Sequence, residues 1–196
     1  MPPNYVTLAE AKARLGITDS TDDGRIASAI EAASRMFDDL CGRHFYAESQ
    51  TRYYQSQDGM RIVVGDLASV TYLYTDADGD RVYENTWGVT DFDLLPINAA
   101  EDDSPYTEIQ VAPDGLYTFP VTSDPKAIKI VGSFGHGARV PAQVEEAVAV
   151  LTEQIFKRKD AIYGVMGGSG FNQQLKQMAE QDPLIRSVLM RYRSLA

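Results

Sequence analysis

The sequence predicts an α+β chain: a small helical bundle of about four helices, interrupted by an antiparallel β-rich insertion. Two observations carry that prediction. Apolar residues recur at helical spacing near both ends of the chain, and the roughly ninety residues between them break into short β-prone runs bounded by Gly, Asp and Pro. A helical pattern split in this way reads as one bundle with an insert, not as domains in series. The expected boundaries are 1–43 plus 138–196 for a helical core with a C-terminal arm, and 44–137 for the insertion.

The first helix opens with Thr7-Leu8-Ala9-Glu10, a capping box in which Thr7 and Glu10 each satisfy a backbone N–H of the first turn. Leu8, Ala11 and Leu15 form its apolar stripe, and Gly16 is a natural stop. After the polar turn Asp19–Asp23, with Thr21 or Asp22 as cap, Ile26, Ile30, Ala33, Phe37 and Leu40 fall on one helical face. Arg25, Glu31, Arg35 and Asp38 lie largely elsewhere. A third helix starts at Val140-Pro141 and runs to about Ala161, lined by Val144, Val148, Leu151, Ile155 and Ile162. Helices two and three are expected to pack through these stripes. Four glycines, Gly164, Gly167, Gly168 and Gly170, then break the pattern and form a hinge. Asp182-Pro183 opens a last helix expected to reach Leu195.

Within the insertion the β-prone runs are Arg61–Val64, Val70–Thr75, Arg81–Glu84 and Ala127–Val131. Asp76–Asp80 reads as a hairpin turn with Gly79 at positive φ, and Pro113-Asp114-Gly115 as another turn. Asn98–Pro105 is an acidic loop ending in proline. Together they suggest a small antiparallel sheet or barrel-like insert.

Composition narrows the class of function. A chain of 196 residues with 44% hydrophobic and 23% charged residues can bury a real core. No apolar run is long enough to span a bilayer, and the opening residues do not resemble a secretory signal. The single cysteine, Cys41, excludes an intramolecular disulfide and fits a reducing compartment. Net charge is −10, but residues 150–196 hold seven basic and four acidic side chains, a local +3 that leaves −13 on the rest. An acidic body of this kind argues against general DNA binding. Its basic tail suits an acidic partner.

Few constellations suggest chemistry, and each has a plainer reading. Asp76, Asp78 and Asp80 approach the spacing of a calcium loop, but glycine falls at position four and Trp87 at position twelve, so a hairpin turn is favoured. Gly132-Ser133-Phe134-Gly135-His136-Gly137 does not fit a phosphate-binding GxGxxG and reads as a flexible strand-to-helix connection. Cys41 and His44 straddle Gly42, which ends the helix, so they read as a buried thiol and a helix-end imidazole. No catalytic, cofactor-binding or metal-binding set emerges.

The ordered segments resemble a known family. They are Tyr5-Val6-Thr7-Leu8-Ala9-Glu10-Ala11-Lys12, then Leu15-Gly16-Ile17 and an acidic turn, then the helix Ile26–Leu40 closing on Cys41-Gly42-Arg43. Later come a strand entering Gly132–Gly137, and Val140-Pro141 leading to Val144, Ala147 and Leu151. In order and spacing these resemble the head–tail connector (adaptor, or head-completion) proteins of tailed double-stranded DNA bacteriophages, over roughly the first 45 and last 70 residues. The insertion is longer than the simplest members need.

The resemblance implies a structural virion protein without enzyme activity or cofactor. It implies a twelve-fold ring between portal and tail, monomeric when free, made in the host cytoplasm and ending in the virion neck. Its partners would be the portal protein and a tail-side neck or tail-completion protein, with DNA passing through unbound and no membrane. The alternatives are a tail-completion or neck protein on the tail side, or a calcium-binding or enzymatic module on the β insert. The partner-binding residues are expected on the terminal helix: Arg186, Arg191 and Arg193, with the apolar side Val188, Leu189, Tyr192 and Leu195. These would dock on the portal or a neighbouring subunit, and deleting 182–196 would leave the monomer folded. The competing reading is that this helix packs on its own bundle.

Overall fold

The computed structural model describes residues 3–137, 139–157, 177 and 179–193. These divide into two compact units, one built from the segments Met1–His44 and Val140–Ala196, the other from Phe45–Arg139.

The first unit is helical. Helix α1 spans Leu8–Leu15, with the capping box formed: Glu10 N–H donates to Thr7 Oγ1 at 3.2 Å and Thr7 N–H donates to Glu10 Oε2 at 2.8 Å. Gly16 ends it in the left-handed region at φ 70°. Helix α2 spans Asp23–Cys41; Asp22 stands at its cap, but its carboxylate pairs with Arg25 at 2.6 Å and makes no capping bond. Helix α3 spans Ala142–Lys157, with the Pro141 carbonyl accepting from Val144 and Glu145. Helix α4 spans Pro183–Tyr192.

The expected α2–α3 packing is present. Ile26, Ile30, Ala33 and Phe37 of α2 are buried, as are Val144, Ala147, Val148 and Leu151 of α3. Ile155 is only half-buried, and Ile162 lies outside the described residues. Ion pairs tie α1 across the bundle, from Lys12 to Asp23 at 2.6 Å and from Arg14 to Glu146 at 2.8 Å and Glu153 at 3.1 Å.

The second unit is a six-stranded antiparallel sheet in the order β1-β6-β2-β5-β4, with β3 also paired to β2. The strands are β1 Glu48–Tyr54, β2 Arg61–Thr75, β3 Asn85–Thr86, β4 Phe92–Leu95, β5 Tyr106–Val111 and β6 Ile128–Phe134. The two runs expected at Arg61–Val64 and Val70–Thr75 are one strand. Gly65, at φ 74°, and shifts of register let β2 pair β5 along its first half and β6 along its second. Arg81–Glu84 is not a strand. It belongs to the connection held by Asp76, and pairing resumes only at Asn85–Thr86.

One face of this sheet is dry. Ile62, Val64, Leu67 and Leu73 of β2 join Ile109 and Val111 of β5 and Ile128, Ile130 and Phe134 of β6. Trp87 closes the cluster, stacked on Phe119 with centroids 4.7 Å apart, its Nε1–H donating to Thr75 Oγ1 at 3.1 Å. The glycine-rich segment is corrected too: Gly132 and Ser133 are strand residues opposite Val70 and Ser69. A Cβ on Gly132 would sit 2.4 Å from the Ser69 carbonyl oxygen, and one on Gly135 would sit 2.0 Å from that of Tyr46. Glycine serves close backbone approach at both positions, not a phosphate.

Candidate assembly surface

Helix α4 begins where the sequence places it. The Asp182 carboxylate accepts from Leu184 and Ile185 N–H at 3.0 and 3.3 Å, and Pro183 occupies the first turn. Its other oxygen accepts from Gln154 Nε2 of α3 at 3.0 Å, so the cap also pins the helix to the bundle. Arg193 is extended, at φ −61° and ψ 127°, and ends the helix before Leu195, which lies outside the described residues.

The structure splits the predicted partner-binding set. Val188, Leu189 and Tyr192 are buried with Ile185 in their own unit, where α4 packs against α3 and α2. These apolar residues therefore do not form a free docking face, and their burial runs against the expectation that deleting residues 182–196 would leave the monomer folded. Ile185 went unnamed in the sequence reading, although Ile185, Val188, Leu189 and Tyr192 follow the spacing of a buried helical stripe. Arg186, Arg191 and Arg193 remain exposed, beside Leu184 and the 72% exposed Met190. The hinge residues Gly164, Gly167, Gly168 and Gly170 lie outside the described residues.

A buried polar cluster in the same unit serves the fold. Asp38 accepts from the Tyr5 hydroxyl and pairs with Arg35 at 3.1 Å and His44 at 3.3 Å. Burial raises its pKa above the ordinary carboxylate value, opposed by the Tyr5 bond, the Arg35 charge and the His44 bond. Tyr5 N–H donates to Ser34 Oγ at 3.2 Å and Arg35 Nη2 donates to the Pro3 carbonyl at 2.7 Å, so the cluster fastens the N-terminal segment to α2. Burial pushes the Cys41 thiol up to about 12, which leaves it inert at neutral pH. A shallow apolar cleft lies between Gly24, Ser28 and Ala29 of α2 and Ile155 and Phe156 of α3. Arg25 lies across its end, 5.1 Å from the Phe156 ring.

In the sheet unit, Asp76, Asp78, Asp80 and Glu84 bring carboxylate oxygens within 4.8 Å of one another. The sequence comparison with a calcium loop did not include Glu84. Main-chain donors already occupy the inner acid: Asp76 accepts from Gly79 N–H and Arg81 N–H, each at 2.7 Å. Burial opposes ionisation of Asp76, but these N–H bonds outweigh it and hold the carboxyl below its ordinary value. Glu84 accepts from Ala77 N–H at 3.2 Å, and Gly79 has φ 87°. The geometry is that of a carboxylate-organised β2–β3 hairpin connection.

Among the described residues no helix is long and apolar enough to cross a membrane. The family model described as Head completion protein (HCP) matches residues 4–195. No curated protein matches the chain in sequence. Two solved structures share the fold across 96% of this chain and 89% of theirs. They are the neck of an empty gene transfer agent (GTA) particle computed with C6 symmetry, at TM-score 0.58 and 17% identity, and the virion of a native GTA particle, at 0.57 and 16%.

Proposed function

We propose a structural role at the head–tail junction of a virion for this chain, which belongs to the head completion protein family. The observation that carries the reading is the extent of the family match, which takes in both the helical unit and the sheet unit. The finer reading is a ring of copies, twelve to match a portal, seated between portal and tail in the neck after assembly in the host cytoplasm. The acidic body supports passage of DNA, because a wall of carboxylates gives phosphates nothing to hold. Docking on the portal falls to the exposed arginines of α4, Arg186, Arg191 and Arg193, which suit carboxylates on the facing protein.

Tailless heads lacking this chain provide the test. Wild-type protein should co-sediment with them and restore tail joining, whereas Arg186→Glu with Arg191→Glu should lower head binding about tenfold or more while the fold is kept. Co-sedimentation with tails in place of heads would move the protein to the tail side of the junction. Normal virions in its absence would remove the reading altogether.

A further inference from the structure

The sheet unit has a second face, opposite its dry core, and its chemistry differs from the rest of this acidic chain. Ile128, Ile130 and Leu73 point into the core, so their strand neighbours point outward. The register places Tyr53, Lys129 and Tyr74 in one outward row across β1, β6 and β2, and Thr51, Val131 and Tyr72 in the next. Neither row holds a carboxylate. Tyr83 flanks the first row, 6.3 Å from the Tyr53 ring, and its hydroxyl donates to the Lys126 carbonyl at 2.8 Å.

The lysines on this face are held in place. Lys129 Nζ lies 5.5 Å from the Tyr74 ring and 5.3 Å from that of Tyr83, and Lys126 Nζ lies 5.3 Å from Tyr53. Tyr53 and Tyr72 are 43% and 52% exposed, so aromatic rings face water on the same face as these cations. Rigid tyrosines among small hydroxyl and basic groups are the composition of a protein-recognition surface, since they give large contact area at low entropy cost.

A complementary element stands at the other edge of the same sheet. The connection from β4 to β5 presents Ile97, 65% exposed, next to the exposed Glu101, Asp102 and Asp103. Its shape is fixed by its own backbone bonds, Asp102 N–H to the Asn98 carbonyl at 3.1 Å and Ser104 N–H to that of Ala99 at 2.9 Å, with Ala99 buried beneath. One surface thus offers cations around aromatic rings, with the Asp124 carboxylate near Lys126 already paired to Arg81 at 3.1 Å; the other offers carboxylates around an aliphatic side chain. In the strand order β1-β6-β2-β5-β4 they belong to opposite edges, β1–β6 and β5–β4.

The geometry points to a heterologous contact between copies of this chain: the outward face of β1, β6 and β2 receives the β4–β5 loop of a second copy. Glu101 and Asp102 meet Lys126 and Lys129, and Ile97 lies against the tyrosines. Two different patches in contact generate a closed ring or an open filament, not an isolated dimer. The contact rests on the ring reading above and assigns a surface to it. It also gives an acidic chain a way to bring its copies together despite net repulsion.

Full-length chain added to tailless heads tests the contact. Tyr53→Cys combined with Ile97→Cys should, on oxidation, give a ladder of covalent multimers on a denaturing gel, with buried Cys41 taking no part. Lys126→Glu with Lys129→Glu, and separately Glu101→Lys with Asp102→Lys, should each reduce ring formation about tenfold or more. All four changes in one chain should restore it. A wild-type ring seen by electron microscopy, but no ladder and no charge-reversal effect, overturns this contact and leaves the ring reading intact. Cross-linking of Tyr53→Cys to a head or tail protein overturns it in favour of that partner. Absence of any wild-type ring on heads overturns the ring reading and this contact with it.

Discussion

Replacing Ile185 by Ala decides whether α4 is part of the helical core or a detachable arm. Ile185 is fully buried, and its helix is fixed to α3 by the bond between Gln154 and Asp182. The substitution removes three side-chain carbons, worth about 2.4 kcal/mol at roughly 0.8 kcal/mol per buried methylene. Where the site does not collapse, the remaining cavity raises the cost toward about 5 kcal/mol. That range is a large share of the roughly 5–15 kcal/mol that stabilises a typical domain. Urea unfolding followed by far-UV circular dichroism reads it: with a slope near 2 kcal/mol/M, the midpoint should fall by about 1.2–2.5 M. Met190→Ala is the control on the opposite face of the helix, and at 72% exposure it should change stability by no more than about 0.5 kcal/mol. If Ile185→Ala also stays within about 0.5 kcal/mol of wild type, the packed position of α4 is refuted and the arm reading returns.

Gly135→Ala should abolish folding of the sheet unit or cost several kcal/mol, because φ is 145° and the new methyl would meet the Tyr46 carbonyl oxygen at 2.0 Å; loss of the cooperative transition by circular dichroism is the readout. The Glu10 carboxyl is held below its ordinary value of 4.5 by bonds from the Thr7 side chain and backbone, so its contribution is present above pH 4.5 and lost as pH falls through the lower folded value. Glu10→Gln should therefore flatten the stability profile below pH 4.5, and an unchanged acid limb in pH-dependent thermal melts would dismiss that role.

The helices were legible because each carries a periodic stripe together with a start or a stop signal. Thr7 and Glu10, Gly16, Gly42 and Asp182-Pro183 mark ends that side-chain and backbone chemistry enforce locally. The sheet was less legible because its pairing is non-local. β1 reads Glu-Ser-Gln-Thr-Arg-Tyr-Tyr, a polar run whose inward Arg52 and Tyr54 are half-buried. It gains order only by pairing with β6. β4 is four residues long and β3 two, too short to show a period. Trp87 gave no signal in the sequence beyond its position after the acidic turn, yet it closes the sheet core.

The apolar half of the docking expectation was less legible for a different reason. A stripe of apolar residues on a charged terminal helix shows that the helix has a partner, but not whether the partner lies in the same chain. Two features point to a partner within the same chain. Asp182 uses one oxygen to cap α4 and the other to accept from Gln154, so the start of the helix cannot swing away without breaking a bond to α3. Ile185 completes the stripe one turn earlier than Leu189 and is buried in the same unit. What this leaves outside includes three cations, Arg186, Arg191 and Arg193, beside Leu184 and Met190, on a chain whose remainder is acidic. The sheet unit repeats the arrangement with Lys126 and Lys129 among tyrosines. In an acidic protein built to assemble, isolated basic surfaces are the places where a carboxylate-bearing neighbour can approach without repulsion. The contacts proposed above therefore rest on charge pattern more than on exposed apolar area.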